Sequence, residues 1–202
     1  MSTEKTEQST KVITGMVRLS YFYAFKPRAV KEGEEAKYSV QLIIQKTDKQ
    51  TTSDFVKAIK AARAAGQDKL KDKNTGKESL NLKMPLRDGD KERPNDPALK
   101  GCFFINATSK NPPQIIDRHK HLITDSTLLK SGDYARVAVN FYAFDGRSKG
   151  IACGLNNIQK LKDGPALGGR AEAIDDFKDD FQFDEDEDLL AGEDELDSLL
   201  NG

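Results

Sequence analysis

Residues 133–144 read DYARVAVNFYAF, and the alternation in that stretch decides the fold class. Ala135, Val137, Val139, Phe141 and Ala143 fall on one face of an extended chain. Tyr134, Arg136, Ala138, Asn140, Tyr142 and Phe144 fall on the other, because successive side chains of a strand point to opposite sides. So regular a small-and-apolar face predicts a half-buried strand. Asp145-Gly146 marks a turn into another strand over Lys149–Lys160, which contains Ile151, Cys153 and Leu155.

Upstream the same period recurs. VITGMVRLSYFYAF, Val12–Phe25, is rich in β-branched and aromatic residues and predicts one long strand ended by Pro27. Its alternation sets Val17, Leu19, Tyr21, Tyr23 and Phe25 on one side and Arg18, Ser20, Phe22, Ala24 and Lys26 on the other. Ala36–Lys46 predicts a second strand, with Tyr38, Val40, Leu42 and Ile44 inward and Lys37, Ser39, Gln41 and Gln45 outward; Ile43 breaks the alternation. Ser53 reads as the cap of one principal helix, with Phe55, Ile59 and Ala62 as its apolar stripe and Lys57, Lys60 and Arg63 facing away. Gln67–Lys77 reads as a charged loop and Leu80–Leu86 as a short edge strand containing Pro85. Gly101–Thr108 predicts another strand, and Gln114–Ser131 an irregular segment with a short helical turn. Strands outnumber helices and no βαβ unit recurs, so the pattern predicts a mainly β small barrel.

Charge divides the chain in two. The whole carries −1, but residues 171–202 hold fourteen acidic residues against Lys178 alone, giving −13 there and +12 on residues 1–170. The expected organisation is therefore a disordered N-terminus over residues 1–11, a basic domain over 12–170 and a disordered acidic tail over 171–202. Within the tail, Phe177, Phe181 and Phe183, then Leu196, Leu199 and Leu200, are the hydrophobes expected to dock onto partner proteins.

Several function classes drop out. The apolar runs fall well short of the roughly 18 residues of a membrane span, and the first ten residues have no secretory character, so no membrane partner and a cytoplasmic location are expected. Cys102 and Cys153 read as buried free thiols. Gly76-Lys77 is no phosphate-binding loop, since Lys71 stands where its first glycine belongs. His119 and His121 lack further ligands nearby and read as part of a basic loop. No nucleophile elbow, HExxH or GxGxxG occurs, so neither an enzyme nor a cofactor is expected.

A strand face that carries Arg136, Tyr142 and Phe144 while its opposite face fills the core suits single-stranded nucleic acid, whose bases stack on rings while its phosphates follow basic side chains. Arg18, Phe22 and Lys26 repeat the mixture, and Phe104 and Lys149 complete the expected DNA-binding set.

Four stretches carry a resemblance. GMVRLSYFYAFKP, LRDGD at Leu86–Asp90, KGCFFINATSKNPPQIID, and GDYARVAVNFYAFDGRSKGIACGLNNIQKLKDGPALGGR leading into the acidic end resemble the bacteriophage OB-fold family of single-stranded-DNA-binding proteins, formerly a domain of unknown function. The likeness spans most of residues 12–202. It implies an OB-type barrel, sequence-tolerant binding of single strands in the host cytoplasm, and a tail that contacts replication proteins such as a DNA polymerase or a helicase/primase in replication, recombination or repair. Where several such proteins end on an aromatic residue, this chain ends Leu199-Leu200-Asn201-Gly202. Two rival readings remain at this point: a strand-annealing recombination mediator, which would act as a homo-oligomer, and an acidic-tailed chaperone or assembly factor without DNA affinity.

Overall fold

The Asp133–Phe144 stretch forms the strand its alternation predicts, and the barrel is built around it. The structure is a computed structural model that describes residues 9–29, 33–72 and 75–167. The predicted tail, its docking residues Phe177, Phe181, Phe183, Leu196, Leu199 and Leu200, and residues 1–8 lie outside the described residues. The strands are β1 (Lys11–Ile13), β2 (Val17–Arg28), β3 (Lys37–Gln45), β4 (Arg87–Asp88), β5 (Cys102–Ser109), β6 (Gln114–Ile116), β7 (Tyr134–Asp145) and β8 (Lys149–Lys162). The helices are α1 (Lys49–Ala65), α2 (Gln67–Leu70) and α3 (Gly89–Glu92), with single 3₁₀ turns at Pro97–Leu99 and Ser126–Leu128. Among the described residues no helix is long and apolar enough to cross a membrane.

Five strands close a ring. β2 pairs β3, β3 pairs β5, and β7 pairs both β8 and β2, all antiparallel; β5 meets β8 in parallel at Ala107–Cys153. This is an OB-type Greek-key barrel with one principal helix. The inward face of β7 is as read: Ala135, Val137, Val139, Phe141 and Ala143 are all buried. Phe55 of α1 meets Phe141 edge-on at 5.4 Å, which ties the helix to the barrel. Cys102 and Cys153 are buried free thiols, and burial pushes both pKa values up.

The structure corrects the sequence reading at five places. The predicted first strand is two, broken at Thr14–Met16. Thr14 is buried and its hydroxyl accepts the Val137 N–H at 3.0 Å, while the Gly15 N–H donates to Thr51 Oγ1 of α1 at 2.9 Å. Both pieces pair with β7, and β2 runs through Pro27 to Arg28. Helix α1 is capped by Asp48, not Ser53: the Asp48 carboxylate accepts the Thr51 N–H at 3.0 Å, and the helix starts a full turn earlier than the sequence predicts. Gln67–Leu70 of the predicted charged loop is the short helix α2. Leu80–Leu86 is not a strand; Lys83 alone bridges β8, through bonds of 2.9 Å to Lys149 and Ile151. That close approach needs Gly150, since a Cβ there would sit 2.2 Å from the Lys83 carbonyl oxygen.

The largest correction lies in β2. Ser20 pairs with Gln41 but Tyr23 pairs with Ser39, so three residues of β2 span two of β3. This bulge, with Tyr21 at φ 45°, reverses the strand's faces. Val17 and Leu19 point inward before it; after it Ala24 is buried and Phe22 packs against the core.

Candidate nucleic-acid interface

The outer faces of β2, β3 and β5 form a shallow trough. Its rows follow from the pairing: Ser20, Gln41 and Asn106 align, and Tyr23, Ser39 and Thr108 make the next row. The cavity over them measures about 400 Å³ and is lined by Tyr21, Tyr23, Arg28, Gln41, Arg93 and Asn106, among others. Tyr21 is 56 % exposed, so its ring is open to a ligand in the trough. The guanidinium of Arg93 stands 5.8 Å from the Tyr21 ring, and that of Arg28 stands 5.0 Å from the Tyr23 ring and donates to its hydroxyl. Two rings with two cations around a polar floor can take up bases by stacking and phosphates by charge.

One end of the trough is closed by a second apolar cluster on the outer face, formed by Ile43, Leu99, Cys102 and Phe104 with Ala98 and Leu167 against it. This explains why Ile43 broke the alternation of β3: both faces are covered there. Residues 88–101 fold over this cluster and carry Arg93 to the trough. Lys46 clamps that segment, its ammonium donating to Asp88 at 2.6 Å and Asp90 at 2.7 Å, while the Gly101 N–H donates to Asp90 at 2.9 Å. The bond from Lys46 is the main cause holding both carboxyls below the usual aspartate range, and the two aspartates raise Lys46. Depressed carboxyl pKa values contribute stability above the unfolded value near 4, lost as pH falls through the folded values. The raised lysine keeps its contribution until pH climbs past 10 or so. Amide exchange of residues 88–101, corrected for its intrinsic pH dependence, should therefore be slow at pH 6 and accelerate selectively below about pH 4. Equal protection at both pH values would rule out the clamp.

The eight residues expected to bind DNA do not come together. Arg18 lies on the outer face of β2 in register with Ile43, its guanidinium donating to the carbonyls of Gly132 at 3.2 Å and Pro165 at 2.8 Å. Lys26 is exposed beyond the bulge. Phe22 packs inward because of the bulge, and Phe104 is 0 % exposed beneath Arg87 and Arg93, whose guanidiniums lie 4.7 and 5.3 Å from its ring. Arg136, Tyr142 and Phe144 share the outer face of β7, outside the trough; Arg136 donates to the Thr14 carbonyl at 3.1 Å and Tyr142 is 44 % exposed. Lys149 is largely covered, bonded to Asp145 at 2.7 Å and to the Lys69 carbonyl at 2.9 Å.

Sequence reasoning missed Tyr21 and Tyr23, which strict alternation turned inward, and Arg93 and Asn106, which no pattern marked. The outward assignment of Ser39 and Gln41 was available from β3. At His119 and His121, the Asp117 carboxylate accepts the backbone N–H groups of both, at 2.7 and 2.9 Å, and those bonds hold its pKa down. The pair belongs to a capped turn, and among the described residues no three metal-binding side chains gather.

A family model described as the single-stranded-DNA-binding protein of Enterobacter phage Enc34 matches residues 10–190. The chain belongs to that family. It is a family of binding proteins, not enzymes. Among solved structures, the bacteriophage Enc34 single-stranded-DNA-binding protein in complex with ssDNA superposes with a TM-score of 0.66 at 20 % identity, covering 82 % of this chain and 97 % of that one. The same phage protein in a further structure gives 0.62 at 18 %, covering 87 % and 97 %. The single-stranded-DNA-binding protein gp2.5 of bacteriophage T7 gives 0.57 at 14 %, covering 86 % and 97 %. At such identities the likeness shows a shared fold. No curated protein matches in sequence.

Proposed function

We propose that this chain is a sequence-tolerant single-stranded-DNA-binding protein whose strand runs through the β2–β3–β5 trough. The observation that carries the reading is the set Tyr21, Tyr23, Arg28 and Arg93 around a polar floor. Family membership supports it, as does the Enc34 relative recorded with ssDNA. Lys26 and Arg18 flank the path. The exposed β7 face with Arg136, Tyr142 and Phe144 is the alternative route for the strand, and point variants on the two faces separate them.

Residues 12–170 are the binding domain in this reading, and residues 171–202 its regulator. A tethered segment of −13 beside a body of +12 competes with DNA at an effective concentration of millimolar order. Binding of a single strand would free Phe177, Phe181, Phe183, Leu196, Leu199 and Leu200 to dock replication proteins such as a polymerase or helicase/primase, in the host cytoplasm. The test is a fluorescence-anisotropy titration of the full chain, and of a variant with the tail's fourteen acids changed to Asn and Gln. Single strands should bind more tightly than blunt duplex, with log K falling by roughly 0.7 per neutralised phosphate for each decade of salt. The neutralised variant should bind single strands more tightly, most of all at low salt. Salt-independent binding, or equal affinity for duplex, would overturn the DNA reading; unchanged affinity in the variant would overturn the competition alone.

A further inference from the structure

Two amide side chains stand side by side in the floor of the trough. Gln41 of β3 and Asn106 of β5 are paired in register, and Gln41 Nε2 donates to Asn106 Oδ1 at 3.1 Å. That bond uses one amide group of each. It leaves Gln41 Oε1 as an acceptor and Asn106 Nδ2 as a donor, and among the described residues neither has a protein partner. Asn106 is exposed, no polar side-chain atom buried among the described residues goes unpaired, and both residues line the cavity, so these two groups are open to it. Gln41 is only 3 % exposed, and desolvating an amide costs free energy unless its groups are satisfied. The same outer face takes Ile43 one row away, so an aliphatic side chain at position 41 would cost less. Stacking on Tyr21 and Tyr23 does not call for an amide floor, because every base has a π-face.

We infer that the Gln41–Asn106 pair reads the Watson–Crick edge of one base lodged in the trough, and that this reading makes the site select single strands over duplex. A cavity of about 400 Å³ holds one nucleobase with room for its flanking rings. Adenine, guanine, cytosine and thymine each carry a hydrogen-bond donor beside an acceptor on that edge. Both amides can rotate by a half-turn together, which keeps their mutual bond and exchanges the free acceptor for the free donor. The pair therefore demands an edge without choosing a letter, in keeping with sequence-tolerant binding. In duplex DNA the same edge is already taken by the complementary base. A splayed single strand offers it freely.

The inference rests on the trough being the DNA path, and the test keeps the two apart. The full chain is titrated with a thymidine oligonucleotide and with the same oligonucleotide built from 2,4-difluorotoluene nucleosides, which match thymine in shape and stack but present no such edge. The chain should bind the analogue about five- to a hundredfold more weakly, the discrimination expected of one two-point base contact. The double variant Gln41→Met, Asn106→Leu should bind the two oligonucleotides alike and show a reduced preference for single strands over duplex. Equal affinity of the unaltered chain for both would overturn the edge reading while leaving the trough as the DNA path. Binding to neither would overturn both. Because the unaltered chain alone distinguishes these outcomes, a folding defect in the double variant does not blunt the test.

Discussion

Changing Tyr21 and Tyr23 together to alanine should cost about 2–4 kcal/mol of single-strand affinity, roughly a 30- to 700-fold rise in Kd, since one base–aromatic stack is worth about 1–3 kcal/mol. Folding should suffer little, because Tyr21 is more than half exposed and Tyr23 is only partly covered. Tyr23→Phe keeps the stack and loses only the hydroxyl that Arg28 bonds, so it should bind nearly as the parent does. Tyr21→Gly sharpens the argument. A tyrosine at φ 45° occupies a region that glycine enters without steric cost, and such a residue stores on the order of 1 kcal/mol or more. The glycine variant should therefore lose affinity while keeping or slightly gaining thermal stability. A residue retained only for the fold would show the reverse. If the double alanine variant binds as the parent does and Tyr142→Ala abolishes binding, the strand runs over β7 and the trough assignment falls.

The bulge that strains Tyr21 also separates what the sequence shows from what it hides. Strand β7 was legible because each of its twelve residues obeys one period, from Tyr134 to Asp145, and its neighbours on both faces leave that period undisturbed. The stripe of α1 was legible for the same reason at Phe55, Ile59 and Ala62, although its start was not: Asp48 and Ser53 are both good caps, and the first turn from Asp48 is further held by the tertiary bond from Gly15 to Thr51. In β2 the alternation changes phase at Ser20–Tyr21, where one inserted residue turns Phe22 and Ala24 inward, and a second register shift before Arg28 leaves Phe25 packed on the core as well. Nothing in SYFY announces that shift, since all four residues suit either face. Of the binding candidates in β2, Phe22 alone is turned inward by this shift, while Arg18 and Lys26 stay outside the core. Arg93 could not be placed at all, because its position depends on the Lys46 clamp and the Leu99–Phe104 cluster, both long-range.

Phe141→Ala should be the most destabilising of the single changes, at about 3–5 kcal/mol by urea denaturation, the usual range for removing a buried phenyl ring. Phe141 is 2 % exposed, it meets Phe55 edge-on at 5.4 Å, and it lies where α1 closes over β7. The space left cannot readily collapse. Its neighbours Ala143 and Val139 are short, and the end of α1 is held against β7 at Gly66, where a Cβ would stand 2.2 Å from Ala143 Cβ. Tyr142, the next residue, should cost less than about 1 kcal/mol on the same substitution, as a surface change away from caps and cores does. The contrast between adjacent residues is the direct readout of the period-two register. A one-residue slip of β7 would exchange their roles, so a severe loss at Tyr142 with a mild one at Phe141 would invert the strand. That inversion would also turn Arg136 into the core, an unpaired charge the barrel could not hold, whereas in the observed register its side chain is exposed and its guanidinium donates to the Thr14 carbonyl. The stability measurement on Phe141 therefore tests the barrel, and with it the outward faces on which both candidate DNA paths depend.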